Sequence, residues 1–95
     1  MATLHTVNKT GQPLELCLRA LNAGDSVLLL EEGVYALYEA GDVLSELLRH
    51  VAVHVLDADV LARGMTNRDN LDIDMIDYQG FVELTETNDK VVSWF

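Results

Sequence analysis

The 95-residue chain is poor in cysteine, proline and positive charge, and each shortage argues against a class of protein. Its one cysteine, Cys17, cannot build a disulfide framework, which is typical of a reducing compartment such as the cytoplasm. A single proline among 49% apolar residues argues against a disordered, proline-rich chain. Six Lys and Arg against 16 Asp and Glu give a formal net charge of −10, so we expect no direct binding of nucleic acid.

Signals for membranes and secretion are also missing. No apolar run approaches the roughly 20 residues that span a bilayer. The opening Met-Ala-Thr-Leu-His lacks the charged and apolar regions of a signal peptide. We therefore expect a cytoplasmic chain without membrane contact, folded as a single domain over residues 1–95.

Familiar catalytic motifs are absent as well. The sequence has no Gly-x-Gly-x-x-Gly, no Gly-Lys-Ser/Thr phosphate loop, no Cys-x-x-Cys and no Gly-x-Ser-x-Gly. Nothing supports a nucleotide-dependent enzyme, a zinc site or a serine hydrolase, and we expect neither a cofactor nor a metal. The chain by itself looks poorly equipped for catalysis.

What the sequence does contain is an uninterrupted apolar run at residues 27–30, ended by Glu31-Glu32-Gly33. A surface strand would alternate apolar and polar residues, and a helix would need more turns. A short run bounded by turn residues predicts a strand covered on both faces, as in a parallel sheet between helices. The carboxyl end of that strand would deliver Glu31 and Glu32 to the edge where open α/β sheets place their sites.

Strands and helices are predicted to alternate along the whole chain. The predicted strands are 3–7, 26–30, 51–56, 73–76 and 90–95, the last as a strand or a docked tail. The predicted helices start at Pro13, within 31–40, at Asp42 and Asp57 as caps, and at Asp77, with a loop at 65–72. This alternation predicts a three-layer α/β domain with a mainly parallel sheet flanked by helices.

The two aromatic residues at positions 94 and 95 give a separate expectation. Leaving a ring the size of phenylalanine in water costs about 1.5–3 kcal/mol relative to burying it. We expect Trp94 and Phe95 to pack against the domain or a partner.

Cys17 is the candidate chemical residue, with two interpretations. As the only soft nucleophile, its thiol could accept a sulfur atom if a nearby cation or a helix N-terminus favoured the thiolate. Cys17 also shares a helical stripe with Leu14, Leu18 and Leu21, which is typical of a small core residue. It lies beyond the first helical turn, so the second interpretation is favoured by spacing.

Histidines and carboxylates give the weaker candidates. His5 and His54 lie in predicted strands and could meet if those strands were neighbours, although a hydrogen-bonded sheet histidine explains each more simply. Acidic residues would gather at the carboxyl edge of the sheet and could do acid–base work or bind a cation, namely Glu31, Glu32, Asp57, Asp59 and Asp77. Helix capping by Asp57 and Asp77, with the glutamates solvated, explains the same positions.

Taken together, several segments resemble the DsrH/TusB family. They are residues 4–9 (LHTVNK), 24–36, 61–64 (LARG) and 76–85 (IDYQGFVELT), with Trp94 near the end. The match covers essentially the whole chain in order, and the segments are specific as a set although no single one is.

This resemblance implies a DsrE/F/H-like fold and a subunit role in a cytoplasmic sulfur-relay complex. In the family, two copies of each of three related subunits form a heterohexamer that passes persulfide sulfur between carrier proteins. One branch serves 2-thiolation of the wobble uridine in tRNA, and the other serves dissimilatory sulfur oxidation. The principal sulfur-bearing cysteine belongs to a sister subunit of the DsrE/F (TusD/TusC) type.

Three functions follow from these observations. The first is an auxiliary, non-catalytic subunit of the sulfurtransferase complex. The second makes Cys17 itself a sulfurtransferase thiol, since its Leu-Glu-Leu-Cys-Leu context is similar to that of oxidation-type DsrH proteins, whereas TusB proteins can lack the cysteine. The third is a stand-alone α/β binding module whose acidic site contains Glu31 and Glu32.

Overall fold

A computed structural model describes residues 2–66 and 71–95 of the chain. It contains five strands, β1 to β5, at Thr3–Val7, Ser26–Leu29, Ala52–Leu56, Asp74–Ile76 and Lys90–Trp94. Its five α-helices, α1 to α5, are Gln12–Ala20, Ala36–Glu39, Gly41–Leu47, Asp57–Ala62 and Tyr78–Thr87, and a 3-10 helix at Glu31–Tyr35 precedes α2. Half of the predicted 65–72 loop, residues 67–70, lies outside the described residues.

All five strands are parallel, in the order β4-β3-β2-β1-β5. From β1 to β4 the chain steps in one direction across the sheet, and the final connection returns to the opposite edge. Because parallel crossovers are right-handed, this reversal moves α5 to the other face. That face carries His54, Asp74 and Ile76, which line a cleft together with Gly80 and Leu84 of α5. The predicted three-layer α/β architecture is confirmed.

The central strand β2 is covered on both faces, as its apolar run predicts. Val27, Leu28 and Leu29 have no exposed surface. In register, Leu29 lies beside Val7 of β1 and Val55 of β3, so one apolar row crosses the middle of the sheet. Helices α1, α3 and α4 cover this row with Leu14, Cys17, Leu44 and Val60. The main core therefore lies between the sheet and the helices of the β1–β4 half.

Two of the predicted helix caps are wrong. Helix α3 begins at Gly41 and α4 begins at Asp57, with Ala40 and Leu56 at the cap positions and no side-chain cap in either case. Asp42 and Asp57 are thus first-turn residues, where a negative charge is favoured by the helix dipole although neither side chain caps the helix. Asp77 does cap α5, accepting the Gly80 backbone N–H at 2.8 Å.

Helices α3 and α5 expose large apolar side chains to solvent. Val43 of α3 is 43% exposed although its spacing predicts an inward position, and Tyr78 of α5 is 61% exposed. None of the residues of α5 is buried, so the flanks of this helix stay in contact with solvent. None of the helices in the described ranges has the length and apolarity needed to cross a membrane.

Candidate functional site

Cys17 lies on the buried side of α1, where its side chain has no exposed surface. Burial raises the pKa of the Cys17 thiol from 9.0 to about 12, and the negative charge of Asp25 adds to the increase. The thiolate is the nucleophilic form of cysteine, so neither the charge state nor the access that sulfur transfer needs is present in this conformation.

We expect Cys17 to resist alkylation in the folded chain. A rise of the pKa from 9.0 to about 12 lowers the thiolate fraction about a thousandfold at pH 8, and burial slows the reaction further. Adduct formation with iodoacetamide, followed by mass spectrometry, should be at least a thousandfold slower in buffer than in denaturing urea. Equal rates in both conditions would contradict the buried, protonated thiol.

A buried chain of polar side chains adjoins Cys17. The Nε2 atom of His5 lies 3.0 Å from Oδ2 of Asp25, and the indole Nε1 of Trp94 donates to Nδ1 of His5 at 3.1 Å. His5 and Asp25 are 3% exposed. An indole N–H only donates, so these hydrogen bonds assign the proton of the His5 ring to Nε2, which donates to Asp25.

Asp25 is the centre of this polar chain. Besides His5, its carboxylate accepts the backbone N–H groups of Thr3 and Asn22, at 3.1 and 3.0 Å. The carboxylate thus ties together β1, the turn after α1 and, through His5 and Trp94, the edge strand β5. Trp94 packs on the core and lies nearly parallel to the His5 ring, at 16° and 6.2 Å between ring centroids, as expected for an aromatic residue at that position.

Cysteine, histidine and aspartate are the components of a nucleophile–base–orienting triad, but they are connected differently here. A catalytic histidine needs one ring nitrogen to accept the proton of the thiol. Both ring nitrogens of His5 are already bonded, one to Asp25 and the other to Trp94. The charge of Asp25 raises the pKa of Cys17 instead of favouring its thiolate. The arrangement stabilises the fold, and it does not activate the sulfur.

The acidity of Asp25 predicts a pH dependence of stability. Burial alone would raise its pKa, but the hydrogen bonds from His5, Asn22 and Thr3 outweigh burial and hold the pKa below the ordinary 3.8. The ionised carboxylate therefore stabilises the fold fully above pH 3.8, and this contribution is lost as the pH falls from there through the folded-state pKa.

The measurement is urea unfolding at pH values from 6 down to 2.5. We expect the unfolding free energy of Asp25→Asn to fall less steeply with acid than that of the unmodified chain, because the variant has no carboxyl group to titrate at this position. Parallel pH profiles for the two proteins would contradict the assignment.

The other histidines do not form a joint site. β2 separates β1 from β3, and His54 lies on the α5 side of the sheet, so His5 and His54 do not meet as they could on neighbouring strands. The Nδ1 atom of His54 lies 3.2 Å from Oδ2 of Asp74, and His50 lies 3.4 Å from Glu46 on an exposed turn. Within residues 2–66 and 71–95, no three His, Cys, Asp or Glu side chains are grouped to hold a metal ion.

The acidic edge is organised around Asp59. Its Oδ2 atom accepts the backbone N–H of Glu31 at 2.6 Å, where Glu31 turns the chain with a positive φ of 50°. Arg63 lies 3.7 Å from the same carboxylate and 5.8 Å above the Tyr35 ring. Asp59 is thereby engaged in holding the start of the 3-10 helix. The described structure does not bring Glu31, Glu32 and Asp59 together as an unpaired acidic site.

Sequence reasoning missed Asp25 as a buried residue. The Gly24-Asp25 pair looks like the end of a helix, and Gly24 does have a positive φ of 89°. One signal could have identified Asp25. Asp25 directly precedes a strand that is buried on both faces, so its side chain is expected to lie at or inside the core. A buried carboxylate needs several hydrogen-bond donors around it.

The chain is similar to known proteins along nearly its whole length. The family model described as DsrH like protein matches residues 9–91. Protein TusB of Pectobacterium parmentieri is 36% identical over 94 residues, which cover 96% of this chain and 99% of that protein. Protein TusB of Escherichia coli strain SMS-3-5 is 38% identical over 95 residues, with the same coverage. The crystal structure of the ychN protein from E. coli has a TM-score of 0.68 at 15% identity, covering 98% of this chain and 97% of that one, and so shares the fold.

Proposed function

The chain belongs to the DsrH family, and we propose that it is an auxiliary subunit of a cytoplasmic sulfur-relay complex. The observation that carries the proposal is the match to relatives at 36–38% identity along nearly their whole length. The family resemblance implies that sulfur moves through such complexes as persulfide. We infer that this chain acts there together with two sister subunits of the DsrE/F (TusD/TusC) type and with sulfur-carrier proteins.

The state of Cys17 supports an auxiliary role over a sulfur-carrying one. It is the only cysteine of the chain, and its thiol is buried with a pKa raised to about 12. Persulfide transfer proceeds by attack of a thiolate on a sulfur atom, so the transferring cysteine must be ionised and accessible. We infer that a sister subunit carries the sulfur and that Cys17 fills the core.

Exposed apolar side chains support assembly with sister subunits. Leu61 is 70% exposed and Phe95 80% exposed, and Tyr78, Val82 and Met75 are also well exposed. Burying such side chains at an interface is favourable by about 25 cal/mol for each Å² of apolar surface. We propose that a heterohexamer with two copies of each subunit covers part of this surface, including the Phe95 ring that the chain itself leaves uncovered.

Co-expression with the two sister subunits from the same genome tests the assembly. We expect one species on size-exclusion chromatography with light scattering, containing the three chains in equal amounts. A chain that elutes alone beside its sisters would contradict the proposal.

Sulfur transfer by the assembled complex tests the role of Cys17. Complexes with Cys17 or with Cys17→Ala are loaded from a persulfidated donor, and transfer of ³⁵S to a carrier protein is measured. We expect equal transfer by both, and no sulfur mass gain on Cys17. Loss of transfer in the Cys17→Ala complex, with the assembly intact, would instead establish Cys17 as a sulfurtransferase thiol.

We further propose that the relay serves tRNA 2-thiolation. The curated relatives at 36–38% identity are TusB proteins, and that resemblance outweighs the Cys17 context, which favours sulfur oxidation. A bacterial strain that lacks its own TusB, TusC and TusD proteins should regain 2-thiouridine in its tRNA when this chain and its sisters are supplied. Assembly of the complex without recovery of 2-thiouridine would favour the oxidation branch.

A further inference from the structure

An apolar groove runs along the outer surface between α1 and α3. One part has a volume of about 440 Å³ and the next about 370 Å³, and both are lined by Leu18 and Val43, so the two parts are continuous. Leu14, Ala40 and Leu47 complete the apolar floor. Val43 is 43% exposed in the floor, although the periodicity of α3 places it among inward residues. A methyl-rich floor between two helices is the geometry that accepts a third helix.

The rim of the groove is acidic. Glu15 of α1, Glu39 of α2, and Asp42 and Glu46 of α3 line the two parts. Glu46 pairs with Arg49 and lies 3.4 Å from His50, which also lines the groove, but in the described part of the chain no ion pair neutralises Glu15, Glu39 or Asp42. The rim therefore repels an acidic partner and attracts a basic one, on a chain whose formal net charge is already −10.

A second copy of this chain does not provide the complementary surface. Among the helices of the described structure, the only Lys or Arg is Arg19 of α1, and the other helices are neutral or acidic. A copy would bring carboxylates against the acidic rim, which costs binding energy. The occupant must come from a different protein.

We propose that the groove between α1 and α3 is a docking site for a basic amphipathic helix of a partner protein. The apolar stripe of that helix lies on Leu18, Val43 and Leu47, while its flanking Lys or Arg side chains pair with Glu15 and Asp42. Such a helix follows the usual mode of groove recognition, with apolar anchors at i, i+3, i+4 and i+7. The site does not depend on the sulfur-relay role and does not include His5, Asp25 or Trp94.

The probe is a synthetic, capped 15-residue helical peptide with leucines at those spacings and lysines on both flanks. A control peptide carries glutamate at each lysine position. Binding to the full ¹⁵N-labelled chain is followed by NMR chemical shifts and titration calorimetry at low salt. We expect shifts concentrated on α1 and α3, and an affinity for the lysine peptide at least tenfold higher than for the glutamate peptide.

Matched variants distinguish binding at the groove from attraction of the peptide to the overall negative charge of the chain. Val43→Asp and Glu15→Lys, both at exposed positions, should each lower the affinity for the lysine peptide at least tenfold. Glu86→Lys, which makes the same charge change on exposed α5, should leave the affinity within twofold. The proposal is overturned if the lysine peptide fails to bind, shifts another surface, or responds equally to Glu86→Lys and Glu15→Lys. It also fails if the chain dimerises through the groove and Val43→Asp makes it monomeric.

Discussion

Replacement of Asp25 by alanine is expected to lower the free energy of unfolding by about 3–5 kcal/mol. The variant removes the acceptor of three hydrogen bonds, from Thr3, His5 and Asn22. The His5 donor is buried and the other two are partly buried. A buried donor left without a partner costs about 1–3 kcal/mol, and the three costs overlap because the groups relax together. The loss should be seen in urea unfolding followed by circular dichroism at pH 7.

Asp89→Ala is the matched control. The Asp89 carboxylate also accepts a backbone N–H, that of Ala2 at 2.9 Å, but at an exposed position where water can replace it. We expect this variant to lose about 1 kcal/mol or less. Similar losses of unfolding free energy in the two variants would show that the hydrogen bonds joining Asp25, His5 and Trp94 do not hold β5 and the turn before β2 together.

The sheet could be predicted from sequence because each strand carries a local signal. The run at residues 27–30 indicates a strand buried on both faces, and in the structure Val27, Leu28 and Leu29 are completely buried. Strand order has no such signal, since it depends on which distant segments pair. Nothing local indicates that residues 90–94 lie beside β1 and not beside β4. The side of the sheet that α5 covers follows only once this order is known.

The same limit applies to the candidate site. Helical periodicity is a local signal, so the stripe of Leu14, Cys17 and Leu18 is enough to favour a buried cysteine. The structure places Cys17 in the core. The polar chain beside it joins residues that are 20 and 89 positions apart, so no periodicity reveals it. The predicted caps at Asp42 and Asp57 were wrong for another reason. Aspartate in the first turn also favours the helix through its charge, so its presence near a helix start does not distinguish the cap position from the first turn.

Replacement of Gly33 by alanine is expected to cost about 3 kcal/mol, as a case of overpacking against backbone. A Cβ atom at this position would overlap the carbonyl oxygen of Val7 and lie 2.9 Å from its carbon. That carbonyl cannot easily move away. It accepts the Leu30 N–H at 3.1 Å, and β1 is held between β2 and β5. The 3-10 helix must therefore lift off β1, which loosens the packing of Val34 on the core.

Gly64→Ala isolates the steric effect from the loss of glycine itself. Gly64 has a positive φ of 64°, but a Cβ atom there meets nothing within 4 Å. We expect this variant to lose about 1 kcal/mol, the cost of the left-handed backbone for alanine. Thermal and urea unfolding should thus show that the Gly33→Ala variant is clearly less stable than the Gly64→Ala variant. The reverse ranking would mean that the 3-10 helix does not press on β1, and that backbone conformation, not close contact, determines which glycines the fold needs.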